Sequence, residues 1–254
     1  MKKRLIHAIA RQRATGHHMK PRPLKQVVTT SGAAAFFFLC SLTMAEPAGS
    51  FPSAQELLDQ IRLQQSQQQL DLEGQLRSDD KVIPFRLTQT GPVIRYTFVN
   101  PPEVVQLKLG EKSSSLDLVL EHSTKKFAAS RLDERIGGTP VTYEDLELKF
   151  LYWPRAEILG EEVIRTRPCW RLRLQPPSRT GQYSNILLWV DKESGAMMRI
   201  QAFDWEGRLT KRFEVVSAQK IEGRWFLKQM RIEEFEPGTS RVRSRTYLEI
   251  KKPT

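Results

Sequence analysis

Asn185-Ile-Leu-Leu-Trp-Val-Asp-Lys-Glu-Ser-Gly-Ala-Met-Met-Arg-Ile-Gln-Ala-Phe203 decides the fold. Two apolar, β-prone runs, Asn185–Val190 and Met197–Phe203, flank Asp191-Lys-Glu-Ser-Gly195, with a glycine where a positive φ is useful. This is the pattern of a hairpin. Working outward, Leu209–Gln219, Trp225–Phe235 and Arg241–Lys251 continue with period two, separated by Asp204-Trp-Glu-Gly207, Glu222-Gly223 and Pro237-Gly238. In the last run Val242, Ser244, Thr246, Leu248 and Ile250 fall on one face. Arg241, Arg243, Arg245, Glu249 and Lys251 fall on the other, as in an antiparallel sheet with one covered and one wet face. Upstream, Glu162–Leu174 reads as one strand, and Val82–Gln89, Val93–Val99, Val104–Leu109 and Leu116–Leu120 read as four more after a start near Leu70 and Leu72. Closely spaced strands without long helices between them predict an antiparallel meander rather than βαβ units.

Two stretches break this rhythm. Ser53-Ala-Gln-Glu56 is a capping box, and Ala54, Leu57, Leu58 and Ile61 follow at helical spacing, predicting an amphipathic helix over 53–64 ahead of the Gln-rich run 64–69. In 122–160, Thr142 and Asp145 mark a second helix start. Leu146, Phe150 and Trp153 follow at spacings of four and three, predicting one or two short helices lying across the sheet.

The net charge of +11 invites a nucleic-acid reading, which its distribution removes. Residues 1–45 hold eight of the 40 Lys and Arg and none of the 29 Asp and Glu, so the remainder is basic by only three. A nearly balanced chain has no electrostatic footprint for DNA or RNA. Residues 1–45 read as a secretory signal peptide: Lys20, Arg22 and Lys25 precede the apolar run 31–42, and Thr43-Met-Ala45 offers a cleavage site. Met19 is an alternative start, and an uncleaved anchor is the alternative fate, although a dozen apolar residues fall short of a span. Residues 46–254 then form a single domain in the periplasm. Leu39 before Cys40 argues against lipidation there, and Cys169 alone remains after cleavage, so no intramolecular disulfide is expected and the thiol reads as a small buried hydrophobe.

The residues for catalysis are sparse. After the leader His122 is the sole histidine, in a polar stretch, and no HExxH or CxxC spacing occurs. Neighbouring acids such as Glu144 and Asp145, Glu161 and Glu162, or Glu233 and Glu234 could serve glycosidase chemistry only if the fold singled two out. The expectation is a protein that is not an enzyme, with no catalytic residues, cofactor or metal.

The stretch from Tyr183 to Val215, together with Ile221-Glu-Gly-Arg-Trp-Phe-Leu-Lys-Gln-Met-Arg-Ile232, resembles the LolA-like outer-membrane lipoprotein-sorting family. Gly138-Thr-Pro-Val-Thr-Tyr-Glu-Asp-Leu146 and Phe150-Leu-Tyr-Trp-Pro154 look like the middle region of the same family, so the resemblance covers roughly residues 135–235. It implies a mainly β (α+β) fold: a half-open antiparallel β-barrel with short helices as a lid over an apolar cavity. It also implies a carrier that shelters the acyl chains of lipoproteins or other lipids in transit to the outer membrane, with envelope transport complexes as further partners. The alternative use of the same barrel is as an accessory protein of an envelope transporter, making protein contacts without lipid. The family's carrier holds its lid with a basic residue on an early strand; Arg86 and Arg95 lie in that neighbourhood, and neither aligns with it. Candidate cavity residues come instead from pattern: Leu146, Phe150 and Trp153 beneath the lid, and Trp189, Met198, Ile200, Phe213, Val215, Trp225, Leu227, Met230 and Ile232 on the meander. Broad Trp and flexible Met suit variable alkyl chains.

Overall fold

A computed structural model describes residues 52–78, 80–221 and 223–251; residues 1–45, expected to be a signal peptide, lie outside them. Thirteen strands form one antiparallel sheet. In chain order they are β1 (Gln69–Arg77), β2 (Val82–Thr90), β3 (Val93–Val99), β4 (Pro102–Leu109), β5 (Ser114–Val119), β6 (Thr124–Lys126), β7 (Arg155–Ile164), β8 (Arg167–Gln175), β9 (Asn185–Asp191), β10 (Met197–Phe203), β11 (Leu209–Ile221), β12 (Arg224–Phe235) and β13 (Val242–Ile250). The spatial order is β6-β5-β4-β3-β2-β1-β13-β12-β11-β10-β9-β8-β7, so β6 and β7 are free edges and the barrel stays half-open. Among the described residues two helices accompany the sheet, α1 (Ala54–Ser66) and α2 (Tyr143–Glu147), together with 3-10 turns at Ala129–Arg131, Ile136–Gly138 and Lys149–Tyr152.

The α1 capping box forms as its sequence predicts: Glu56 N–H donates to Ser53 Oγ and Ser53 N–H to the Glu56 carboxylate. Its buried face is Ala54, Leu57, Leu58 and Ile61. One expectation is corrected. Glu162–Leu174 is not one strand but the end of β7 and most of β8, reversing at Arg165-Thr166 with φ of 48° and 70°. Positive φ at both central residues is the hairpin geometry that Asn-Gly normally supplies; Arg-Thr gives no such signal. The short helices expected in 122–160 are present as two pieces, with Leu146 in α2 and Phe150 in the 3-10 turn that follows. Leu148 turns left-handed (φ 51°) and ends α2, and the chain resumes as a 3-10 turn.

Side chains alternate across the strands to build two apolar clusters on the helix-covered face. The first gathers Leu72, Leu76, Ile83, Phe85, Val105, Leu107 and Ile232 from the β1–β5 side and β12, together with Ile136, Val141 and Tyr143. The second gathers the buried face of α1 with Leu151, Trp153, Leu172, Leu174, Ile186 and Leu188. Phe213 and Leu148 pack against both.

The opposite face is a lattice of ion pairs. Glu214 lies within 3.4 Å of Arg165, Arg199 and Arg231, and Glu233 accepts from Arg212 at 2.6 Å and Arg245 at 2.8 Å. At the β1–β13 joint, Arg77 donates to Glu249 at 2.6 Å. Those bonds outweigh burial, and with Gln75 and Gln229 they hold the Glu249 carboxyl down at about 2. A carboxyl depressed on folding contributes stability above its unfolded pKa of about 4.3 and loses it as the pH falls through the folded value. Stability should therefore fall between about pH 4.3 and 2, and Glu249→Gln should flatten that limb by up to about one proton. Urea midpoints measured across this window test it; equal slopes in the two proteins would remove Glu249 from the account.

Candidate functional site

Residues 129–153 lie across the concave face as a lid. Their backbone–backbone hydrogen bonds close within the segment, for example Ile136 N–H to Val141 O and Glu144 N–H to Leu132 O. Side chains join the lid to the sheet. Thr142 caps α2 through Asp145, whose Oδ2 accepts from Thr142 N–H at 2.8 Å. The same oxygen accepts from Lys211 Nζ on β11 at 2.7 Å, and Asp145 Oδ1 accepts from Tyr183 O–H at 2.6 Å. The Lys211 and Asp145 side chains are only 7% and 4% exposed. Burial and the adjoining Asp145 push the Tyr183 hydroxyl well above its ordinary pKa, so it stays a donor. Burial likewise raises the Glu144 carboxyl, which accepts from Gln182 N–H at 3.0 Å. At the rim Arg131 and Tyr143 both reach Glu103, Arg135 reaches Glu234, and Tyr152 O–H donates to Gly110 O at 3.0 Å.

Arg86 and Arg95 take no part in holding the lid: Arg86 pairs with Asp71 at 2.5 Å and Arg95 donates to Gln106 at 2.8 Å. The buried cation that ties the lid to the sheet is Lys211, which the sequence reading passed over. Its signal was present, since Lys211 shares an alternating face with Phe213 and Val215, and a lysine on an inward face demands a partner.

The twelve candidate residues divide by face. Leu146, Met230 and Ile232 belong to the first cluster, Phe150, Trp153 and Ile200 to the second, and Phe213 to both. Val215, half-buried, stands opposite Met230 in the β11–β12 register. Trp189 and Met198 are not on this face. They form a third cluster with Ile164 and Cys169, where the Trp189 indole N–H donates to Glu162 at 3.0 Å beneath the Arg199 guanidinium. Leu227 is half-buried outside all three clusters, and Trp225 is 72% exposed. A bulge between Ser217 and Ala218 interrupts the alternation in this region, so period two stops predicting a face there.

Two open clefts lie away from the lid's underside. One of about 560 Å³ runs between the start of α1 and β7, lined by Ala54, Ile158, Leu159 and Trp170 among others. The second, of about 280 Å³, lies at the end of the barrel between the β1–β2 turn, the loop at Gly138 and Pro140, and the β12–β13 hairpin. None of the twelve candidates lines either cleft. Among the described residues no cluster of three His, Cys, Asp or Glu could hold a metal, and no helix is long and apolar enough to cross a membrane.

A half-open antiparallel barrel whose concave apolar face is covered by a short helical lid defines the LolA-like class of fold. The family model that matches residues 121–254, more than half of the chain, is described as an uncharacterized protein, and the chain belongs to that family. Solved structures agree on the architecture. A DUF1329 family protein from Desulfovibrio piger superposes with a TM-score of 0.59 at 20% identity, covering 78% of this chain and 90% of that one. A protein described for outer membrane lipoprotein sorting, from Vibrio parahaemolyticus, gives 0.59 at 16%, covering 78% and 90%. A LolA superfamily protein from Nitrosomonas europaea gives 0.57 at 18%, covering 80% and 93%. At these identities the likeness is one of fold. No curated protein matches the chain.

Proposed function

We propose that the chain is a periplasmic carrier, exported by residues 1–45, that shelters the acyl chains of lipoproteins or other lipids beneath its lid during passage toward the outer membrane. It works by binding and performs no catalysis. The observation that carries this reading is the way the apolar concave face is covered. The cover is a segment whose backbone bonds close on itself, so it can lift without breaking a strand pair. An acyl chain needs a broad apolar surface shielded from water and little polar chemistry. With the lid raised, Phe213, Met230 and Val215 offer such a surface where the two clusters meet. The relative named for lipoprotein sorting and the one assigned to the LolA superfamily share this architecture.

The test is a fluorescent fatty-acyl probe titrated into the mature chain. Uptake of about one probe per chain is expected. Met230→Glu should abolish it with the circular dichroism unchanged, whereas Trp225→Glu, at an exposed site, should leave it intact. A wild-type chain that takes up no probe, or one in which the two variants behave alike, would sink the carrier reading.

A further inference from the structure

The 280 Å³ cleft carries charge that the lid and sheet do not use. Its described lining includes four cations, Lys81, Arg135, Arg243 and Arg245, against two carboxylates, Asp80 and Glu234. Glu234 is already satisfied, by the Arg135 guanidinium and by Ser244 O–H at 2.9 Å, and these partners overcome burial to hold its carboxyl low. Arg245 serves Glu233 at 2.8 Å. Among the described residues no salt bridge closes on Lys81 or Arg243, although the Arg243 charge helps to hold the Glu234 carboxyl low. Lys81 is nonetheless kept over the cleft wall. Gly138 has φ +78°, and a Cβ there would stand 3.1 Å from Lys81 Nζ, so the ammonium lies directly over this glycine. Two cations of different kinds that close no salt bridge, a compact ammonium and a guanidinium able to bind two oxygens at once, match a tetrahedral oxyanion.

The position adds a second point. Ile83, two residues after Lys81, packs in the first apolar cluster, and so does Ile136, next to Arg135. The loop seals against that cluster so closely that a Cβ on Gly137 would meet Ile83 Cδ1 at 2.6 Å. Once the lid lifts, a chain lying along the first cluster would end beside this cleft.

We propose that the cleft is an anion site that takes the phosphate group of a lipid headgroup, which makes the preferred cargo an anionic glycerophospholipid or a lipid bearing an equivalent phosphate. This rests on the carrier reading for the lipid and on the cleft alone for the phosphate. Calorimetric titration of the full chain with dioctanoyl phosphatidylglycerol, dioctanoylglycerol and inorganic phosphate separates the two. The phosphate-bearing lipid should bind at least about tenfold more tightly than the diacylglycerol. Lys81→Gln with Arg243→Gln, both at exposed positions, should erase that advantage and leave the diacylglycerol affinity unchanged. Equal affinities in the wild type, or an advantage that survives the double variant, overturn the anion site while the carrier reading stands. If neither lipid binds but inorganic phosphate does, and the double variant loses it, the anion site stands and the carrier reading falls. If neither inorganic phosphate nor the phospholipid binds, the anion site is overturned.

Discussion

Lys211→Met should destabilise the protein by about 3–5 kcal/mol, because it leaves the buried Asp145 carboxylate without its countercharge. The loss should be felt first in the lid. Asp145 joins α2 to β11 through Lys211 and to the β8–β9 connection through Tyr183, so hydrogen exchange at residues 143–153 should accelerate while the β2–β5 amides keep their protection. Adding Asp145→Asn should recover part of the loss. The amide oxygen still accepts from Thr142 N–H, and no orphaned charge remains buried. Urea midpoints of the single and double variants decide this. A single variant that loses under about 1 kcal/mol with unchanged lid exchange would mean that the rim contacts alone hold the cover.

Leu151→Ala should cost about 2–5 kcal/mol. Leu151 is fully buried in the 3-10 turn of the lid. Its carbonyl is pinned by Arg62 Nη1 at 2.6 Å, so the backbone resists collapsing into the vacated space and the cost should lie toward the upper end. The space left is lined by apolar groups of the second cluster, and it should stay dry and accept xenon or benzene, as apolar cavities of this kind do. A small loss of stability with no gas or benzene binding would show that the turn relaxes onto α1. Because this variant removes lid packing without touching Lys211 or Asp145, comparing acyl uptake in the two separates loosened packing from a broken ionic tie.

Much of this architecture was legible in the chain. The capping boxes at Ser53 and Thr142 announced both helices, and strict alternation in Val242–Ile250 announced a sheet with one covered face. What escaped has physical causes. The β7–β8 reversal uses Arg165 and Thr166 in positive φ, a conformation those residues adopt only because the surrounding strands impose it, so no turn residue marked it and β7 stayed hidden. Leu148 in a left-handed conformation divides this stretch into two short helical pieces, a break that the spacing of Leu146, Phe150 and Trp153 does not locate. On the meander, hydropathy did not say which face each residue takes. Trp189 is as buried as a lid-facing residue, yet it lies on the far side among arginines. Trp225, the most conspicuous aromatic of β12, points to solvent. The lid's polar anchor was missed because Asp145 had already been assigned a local duty as a cap, whereas the structure gives it a second partner 66 residues away.

The strand order carries a consequence for how such a molecule can be assembled. The run β1–β6 and the run β7–β13 are each built from pairings between successive strands, and β1 meets β13 as the one seam between them. At that seam Gly74 lets the backbones crowd together, because a Cβ there would stand 2.9 Å from Glu249 O. The contact that turns two hairpin stacks into one vessel is thus made across nearly the whole sequence, and pairings so remote along the chain form late. A polypeptide emerging from its amino end can curl each half as it appears, but it cannot close the container until β13 has arrived. Trimming that strand should leave two separate leaflets with no common interior.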